Sequence, residues 1–257
     1  MALTSKNLDL ERIISFPFKG EKAFEKILIG TLVLLAGMII PILPVVFVEG
    51  YLYRMMKRVI SRDGELEMPE WNDWGGLLKD GIKLTLTRWI YELPFAILLF
   101  FTILVFSVPY IVPIFIATTK GETTCIWIGI LIVLILLGIG IVMIFITMLV
   151  SLLTKFFLPL PMGNVVSTDS LSSAFKFKEW WKNFKQNWDG FLLIFAISAG
   201  LAFVGSLVSQ IFLTTFVLII LLPAVTFLMM VYNYAMYAEG FRGGMDKLGE
   251  GKPSKRK

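Results

Sequence analysis

Four stretches of this chain carry no charged side chain at all: Ile27–Val48, Leu93–Thr119, Thr123–Thr154 and Gly190–Ala238. About 20 apolar residues suffice for a helix to cross the hydrocarbon core of a bilayer, so each stretch can cross once and the last can cross twice. A soluble core could not absorb that much contiguous apolar surface. Composition agrees, with 57% hydrophobic and 17% charged residues, against about 45–50% and about 25% in soluble domains. The expected fold class is an all-α integral membrane protein, because a helix satisfies its own backbone hydrogen bonds where no water is available.

The number of crossings turns on the first stretch. Its 22 uncharged residues are enough for one crossing, but Pro41 and Pro44 interrupt the helical pattern; proline removes a donor and clashes with the preceding turn. The preferred reading is a hairpin, with Lys22–Ile40 and Val45–Arg62 as its arms, which puts Glu49 within the membrane. That gives about six membrane helices as three hairpins, each preceded by a cytoplasmic amphipathic surface helix; the alternative is five crossings. Cytoplasmic segments collect Lys and Arg. Six helices put 23 of the 24 basic residues on one side, all but Lys120, whereas five leave 18 against 6. The expected location is therefore the cell membrane, with both termini cytoplasmic.

Further along, Lys83–Thr118 reads as one long helix kinked or ended at Pro109 and Pro113, and Lys120-Gly-Glu as an outer loop. The run from Cys125 to Thr154 returns and breaks at Pro159, Pro161 and Gly163. The final apolar stretch makes a hairpin turning near Leu213–Thr215, with small residues such as Gly200 and Gly205 at helical spacing for close packing. Residues 1–248 are expected to form a single polytopic domain and 249–257 a basic, disordered tail. The N-terminus is expected to stay on the protein, since Asp9, Glu11, Glu21 and Glu25 precede the first apolar stretch, unlike a signal peptide.

Outside the apolar runs, two segments read as surface helices: Leu8–Phe18, and Leu171–Asp189. In the second, Phe177, Trp181, Phe184 and Trp188 follow i, i+4, i+7, i+11 beside Lys178, Lys182 and Lys185. Tryptophan prefers the headgroup level, and each lysine near an anionic surface contributes roughly 1 kcal/mol. Membrane lipids, anionic ones above all, are the expected partners, beside a protein partner or a second copy of the chain.

The polar connector Glu49–Gly81 holds most of the other candidates. Glu49 and Glu239 each precede Gly-aromatic pairs; a carboxylate at membrane depth points to a role, while an interfacial acid paired to Arg54 or Arg242 is the structural alternative. Arg88 stands one turn before Glu92, a spacing that allows a helix ion pair. Pro69, Trp71 and Trp74 could bind a headgroup or partner near Tyr51 and Arg54, or the segment could merely stop one helix and cap the next through Asn72 or Asp73. Glu49-Gly50-Tyr51 is echoed by Glu239-Gly240-Phe241, and Phe16-Pro-Phe-Lys by Phe175-Lys-Phe-Lys, a pattern compatible with an internal repeat.

The order of FPFKGEKAFEKILIG, the Glu-Gly-Tyr exit, the basic helix and Met-Pro-Glu-Trp-Asn-Asp-Trp resembles the domain of unknown function 4013 family; Ala174-Phe175 and Tyr237-Ala-Glu-Gly-Phe add a looser likeness. The resemblance implies a prokaryotic multi-pass membrane protein and supplies no catalytic residues. The residues themselves nominate no enzyme. There is no histidine, one cysteine, no phosphate loop and no metal-ligand cluster, so no cofactor and no metal is expected. The net charge of +5 is accounted for by topology and anionic lipid rather than nucleic acid. The expected function is a non-catalytic scaffold or accessory subunit of a membrane complex; the alternative is a transporter of lipid or a small amphiphile.

Overall fold

The computed structural model describes residues 10–61, 66–118, 123–215 and 217–249. Among these residues the fold is all helical: α1 (Leu10–Ser15), α2 (Ala23–Ala36), α3 (Leu43–Ser61), α4 (Trp74–Thr118), α5 (Thr123–Phe157), α6 (Pro159–Thr168), α7 (Phe177–Gln186), α8 (Trp188–Thr214) and α9 (Leu222–Leu248). Single 3-10 turns stand at Phe16–Phe18, Leu171–Phe175 and Val217–Leu221. Among the described residues, four stretches are long and apolar enough to cross a membrane: Trp74–Val112, Ile126–Thr168, Trp188–Thr214 and Leu218–Leu248. The Lys120-Gly-Glu loop, most of the basic tail, and Arg62 at the end of the second expected helix lie outside the described residues.

Proline placement explains several boundaries. The chain leaves helical geometry after Ala36 and resumes at Leu43, across Pro41. Pro159 and Pro161 do not end a helix; they open α6, where the first-turn N–H groups have no intrahelical partner to lose. Pro109 and Pro113, expected to kink or end the long helix, lie inside α4, which runs on to Thr118. The helix expected over Leu171–Asp189 is three pieces instead. A 3-10 turn precedes α7, and Asn187 (φ −134°, ψ 34°) leaves helical geometry before α8 begins.

The chain forms two compact units, Met1–Arg88 with Phe156–Lys257, and Trp89–Lys155. The second pairs the later part of α4 with α5. Thr102 and Thr147 hydroxyls meet at 3.1 Å, and Phe106 lies where a side chain on Gly140 would stand. Around them, leucine, isoleucine and phenylalanine side chains face outward along both helices, as expected of helices solvated by lipid.

In the first unit, α3 and α9 form the centre, with α2, α6, α7 and α8 packed on them. Leu52, Met55, Met56 and Val59 on α3 and Val231, Ala235 and Met236 on α9 are fully buried. The helices approach closely where glycines allow it. A Cβ on Gly50 would collide with the Leu77 carbonyl, and one on Gly81 with the Val46 carbonyl; each pair joins α3 to α4 in a constant antiparallel register. Likewise Gly240 faces Ile194 and Gly205 faces Met229, so α8 and α9 run antiparallel. Gly200 has open space beside it.

Because the colliding atoms are backbone, Gly50→Ala and Gly81→Ala should each destabilise the protein by about 1–3 kcal/mol. Gly138→Ala, with nothing within 4 Å, should be neutral or gain up to about 1 kcal/mol. Thermal unfolding in detergent checks both, and equal effects at all three positions would contradict the close-approach account.

Candidate functional site

The α3–α4 register delivers one polar group into the centre of the first unit. Gly81 faces α3, and Arg88 lies seven residues later on the same side of α4, two turns along. Its guanidinium pairs through Nη1 with Oε1 of Glu49, which is fully buried on α3. The other oxygen, Oε2, accepts a hydrogen bond of 2.6 Å from the Tyr234 hydroxyl on α9. A buried carboxylate is tolerable only when paired and hydrogen-bonded, and here three helices contribute to holding one.

This corrects the expected pairing of Glu49 with Arg54. Five residues separate them, so they point to different sides of α3. Arg54 instead reaches Asp73 Oδ2 at 2.7 Å, Asp80 Oδ2 at 3.4 Å and the Asn72 carbonyl at 3.0 Å. Arg88, matched in sequence to Glu92, meets Glu49.

The connector forms a strap over α2 and α3. Trp71 stacks on buried Tyr51 with ring centroids 4.1 Å apart and donates Nε1–H to the Lys26 carbonyl at 2.9 Å. Lys26 is itself buried, with Nζ 2.7 Å from Glu70 and 3.0 Å from the Met68 carbonyl. Pro69 is buried beneath the same strap. Trp74 packs edge-on against Phe47 and is half exposed. Trp71 is thus a packing residue and Trp74 the only one of the pair held at the surface. Asp73 is the residue that caps α4, accepting the Gly76 N–H at 3.1 Å; that bond, and then Arg54, hold its carboxyl below the usual range. Hydrogen bonding from Lys26 lowers that of Glu70.

A second cluster joins residues more than 80 positions apart. Asp169, in left-handed conformation (φ 58°) at the C-terminus of α6, accepts the Tyr53 hydroxyl at 2.6 Å and Lys57 Nζ at 3.2 Å, and pairs with Lys83. Lys57 and Lys83 Nζ also stand 5.7 and 5.5 Å from the Tyr53 ring centroid. The Lys83 and Tyr53 bonds, with Lys57, hold the Asp169 carboxyl well below the usual carboxylate range against its partial burial. In sequence, only the turn-forming character of Ser167–Ser170 marks the place.

On α7, Lys178, Lys182 and Lys185 are exposed, and Trp181 packs against Phe177 and Phe184. Trp188 is exposed at the start of α8. The side buried by the protein is a different one, carrying Trp180, Asn183 and Asn187. Asn183 and Asn187 donate to the Phe241 and Gly240 carbonyls at 2.9 Å each. Glu239 is buried, and its expected partner Arg242 turns to Asp246 at 3.7 Å and to the Val59 carbonyl at 3.4 Å.

A sequence model of the family described as protein of unknown function (DUF4013) matches residues 33–214. The span starts within α2 and ends with α8, so Phe16–Gly30 and Tyr237–Phe241 fall outside it. No curated protein and no solved structure matches the chain.

Two outcomes follow from this geometry. Glu49→Gln and Arg88→Gln should each cost about 3–5 kcal/mol, because each strands the other partner in a buried site. The double variant should cost clearly less than the sum, while Glu49→Gln with Arg54→Gln should be additive within about 0.5 kcal/mol; unfolding of the three single and two double variants in detergent decides. Asp169 has its carboxyl pKa depressed by folding, so its contribution is complete above the unfolded value of about 4 and fades as pH falls through the folded value. Wild type should therefore lose more stability than Asp169→Asn on acidification below about pH 4, and parallel thermal midpoints across the range would contradict the clamp.

Proposed function

We propose, on the premise that this chain belongs to the DUF4013 family of proteins of unknown function, that it acts as a non-catalytic membrane scaffold or accessory subunit. Its basic, aromatic surface around α7 engages anionic lipid headgroups or a protein partner. The observation that carries this reading is the state of Glu49. Both of its oxygens are occupied by the protein's own Arg88 and Tyr234, so the acid best placed to take a proton or cation for transport is used as an internal staple. A group locked on both sides by covalently tethered partners is a poor site for a solute that must bind and leave.

The finer arrangement belongs to the same proposal. Both termini lie in the cytoplasm, and α7, with the lysines Lys178, Lys182 and Lys185, lies along the cytoplasmic headgroups. Phe177 and Trp188 are the exposed aromatic side chains that would anchor it there. One observation favours the alternative, a transporter of lipid or a small amphiphile. Glu239 is buried on α9, one of the stretches long and apolar enough to cross, and an intramembrane acid is a functional candidate by default.

The full chain in nanodiscs distinguishes the two. Under the scaffold reading, anionic lipid raises thermal stability, and replacing Lys178, Lys182 and Lys185 by Gln, or adding salt, removes up to about 3 kcal/mol of that gain. Under the transporter reading, proteoliposomes move lipid or amphiphile, and Glu239→Gln abolishes the flux without loss of folding. Lipid-independent stability together with flux sensitive to Glu239 would replace the scaffold proposal.

A further inference from the structure

The segment between α2 and α3 is an exposed apolar point of the first unit. Met38 and Ile39 are 70% and 84% exposed, and Ile40, Ile42 and Leu43 are about half exposed or more. No charge lies within this turn or for a full turn of helix on either side. Water would make such a tip costly, and loops in water are ordinarily polar.

Most of its backbone N–H groups bond within the chain. Met38, Ile39 and Ile40 donate back to the last carbonyls of α2, at 2.9–3.1 Å. Pro41 and Pro44 have no N–H to satisfy. Leu43 donates to the Pro41 carbonyl at 2.9 Å, and Val46 to the Ile42 carbonyl at 3.0 Å. The Leu43 bond closes a three-residue turn centred on Ile42, whose φ is 75°. A β-branched residue in that region is a true outlier, and turns of this kind are rare and strained. An open turn would be easier to build in water, where water takes up the free groups. The closed one keeps the Leu43 N–H and the Pro41 carbonyl inside the chain, as hydrocarbon favours.

The length of the arms sets how deep the tip can go. On α2 the last charged residue is Lys26, tied to Glu70, a side chain half exposed. Ile39 is 13 positions on, about 20 Å along a helix. On α3, Arg54 is tied to Asp73, two-thirds exposed, and Ile42 is 12 positions before it, about 18 Å. Both arms are shorter than a hydrocarbon core about 30 Å thick, so a hairpin with these exposed carboxylates at the headgroups does not reach the far side. Any tilt makes it shallower. The surroundings fit as well: α2 packs Gly30 against Phe227 of α9, one of the stretches long and apolar enough to cross, so the exposed face continues that of a membrane helix.

We infer that α2 and α3 form a re-entrant hairpin whose tip, Met38–Leu43, is covered by lipid acyl chains and returns to the side it entered from. It replaces the full crossing expected for this pair and rests only on the chain being a membrane protein, not on the scaffold reading. The Glu49 staple then lies on a partly inserted arm, about 8 Å from Arg54 along α3.

The test uses the full chain with Cys125→Ser and a single new cysteine, Met38→Cys or Ile39→Cys, at side chains that project away from the protein. In intact phosphatidylcholine–phosphatidylglycerol vesicles, a membrane-impermeant maleimide should react with neither position from either side, while Lys178→Cys reacts from its own side. An environment-sensitive fluorophore attached at position 39 in detergent and then reconstituted should be quenched most strongly by lipids carrying a nitroxide near the middle or far half of the chain. Reaction from the face opposite to Lys178→Cys means a complete crossing and overturns the inference. Reaction from the same face means an aqueous tip and also overturns it. Protection without quenching means the tip is covered by protein, a second copy included, and overturns the acyl-chain assignment.

Discussion

Burying the Glu49 carboxylate is possible only if a cation and a second donor are brought to it from other helices, and much of the first unit is arranged to do so. An unpaired charge in such a place costs several kcal/mol. Arg88 can reach it because α4 lies close against α3, and that approach is open only because Gly50 and Gly81 lack side chains at the contact. Tyr234 completes the site from α9. The small residues and the ion pair are one device, since either without the other leaves a hole or an unsatisfied charge.

The two units solve the same solvent problem differently. In the Trp89–Lys155 unit, a pair of threonine hydroxyls makes a polar contact between α4 and α5, and many apolar side chains face outward. Threonine also satisfies itself locally, with Thr102 donating to the Leu98 carbonyl one turn back. The other unit mixes apolar packing with charge, and several of its ionic clusters join more than two side chains. Asp169 ties Tyr53, Lys57 and Lys83 together across α3, α4 and α6. Lys247 links α9 to Asn187 and Asp189 in the same way.

These clusters bear on function through what they leave available. Glu49, Arg54, Tyr51 and Trp71, all plausible in sequence as binding residues, are consumed by the protein's own contacts. Lys178, Lys185 and Trp188 stay exposed at the surface.

The sequence by itself determined the all-helical membrane class, the family, the helix break around Pro41 and the turn after Thr214, because each is local: uncharged run length, proline, and the end of an apolar stretch act on neighbouring residues. It also identified Glu49 as an unusual acid. It did not determine the partner of that acid, since helical spacing relates residues a turn or two apart, whereas Arg88 and Tyr234 arrive from 39 and 185 positions away. For the same reason Asp169 drew no notice, and the Leu171–Asp189 pattern read as one helix with an aromatic face. Tertiary packing chose the face of Trp180, Asn183 and Asn187 instead and broke the helix at Asn187, where the side chain serves the Gly240 carbonyl. Periodicity shows which faces a helix could bury; only the neighbouring helices decide which one it does.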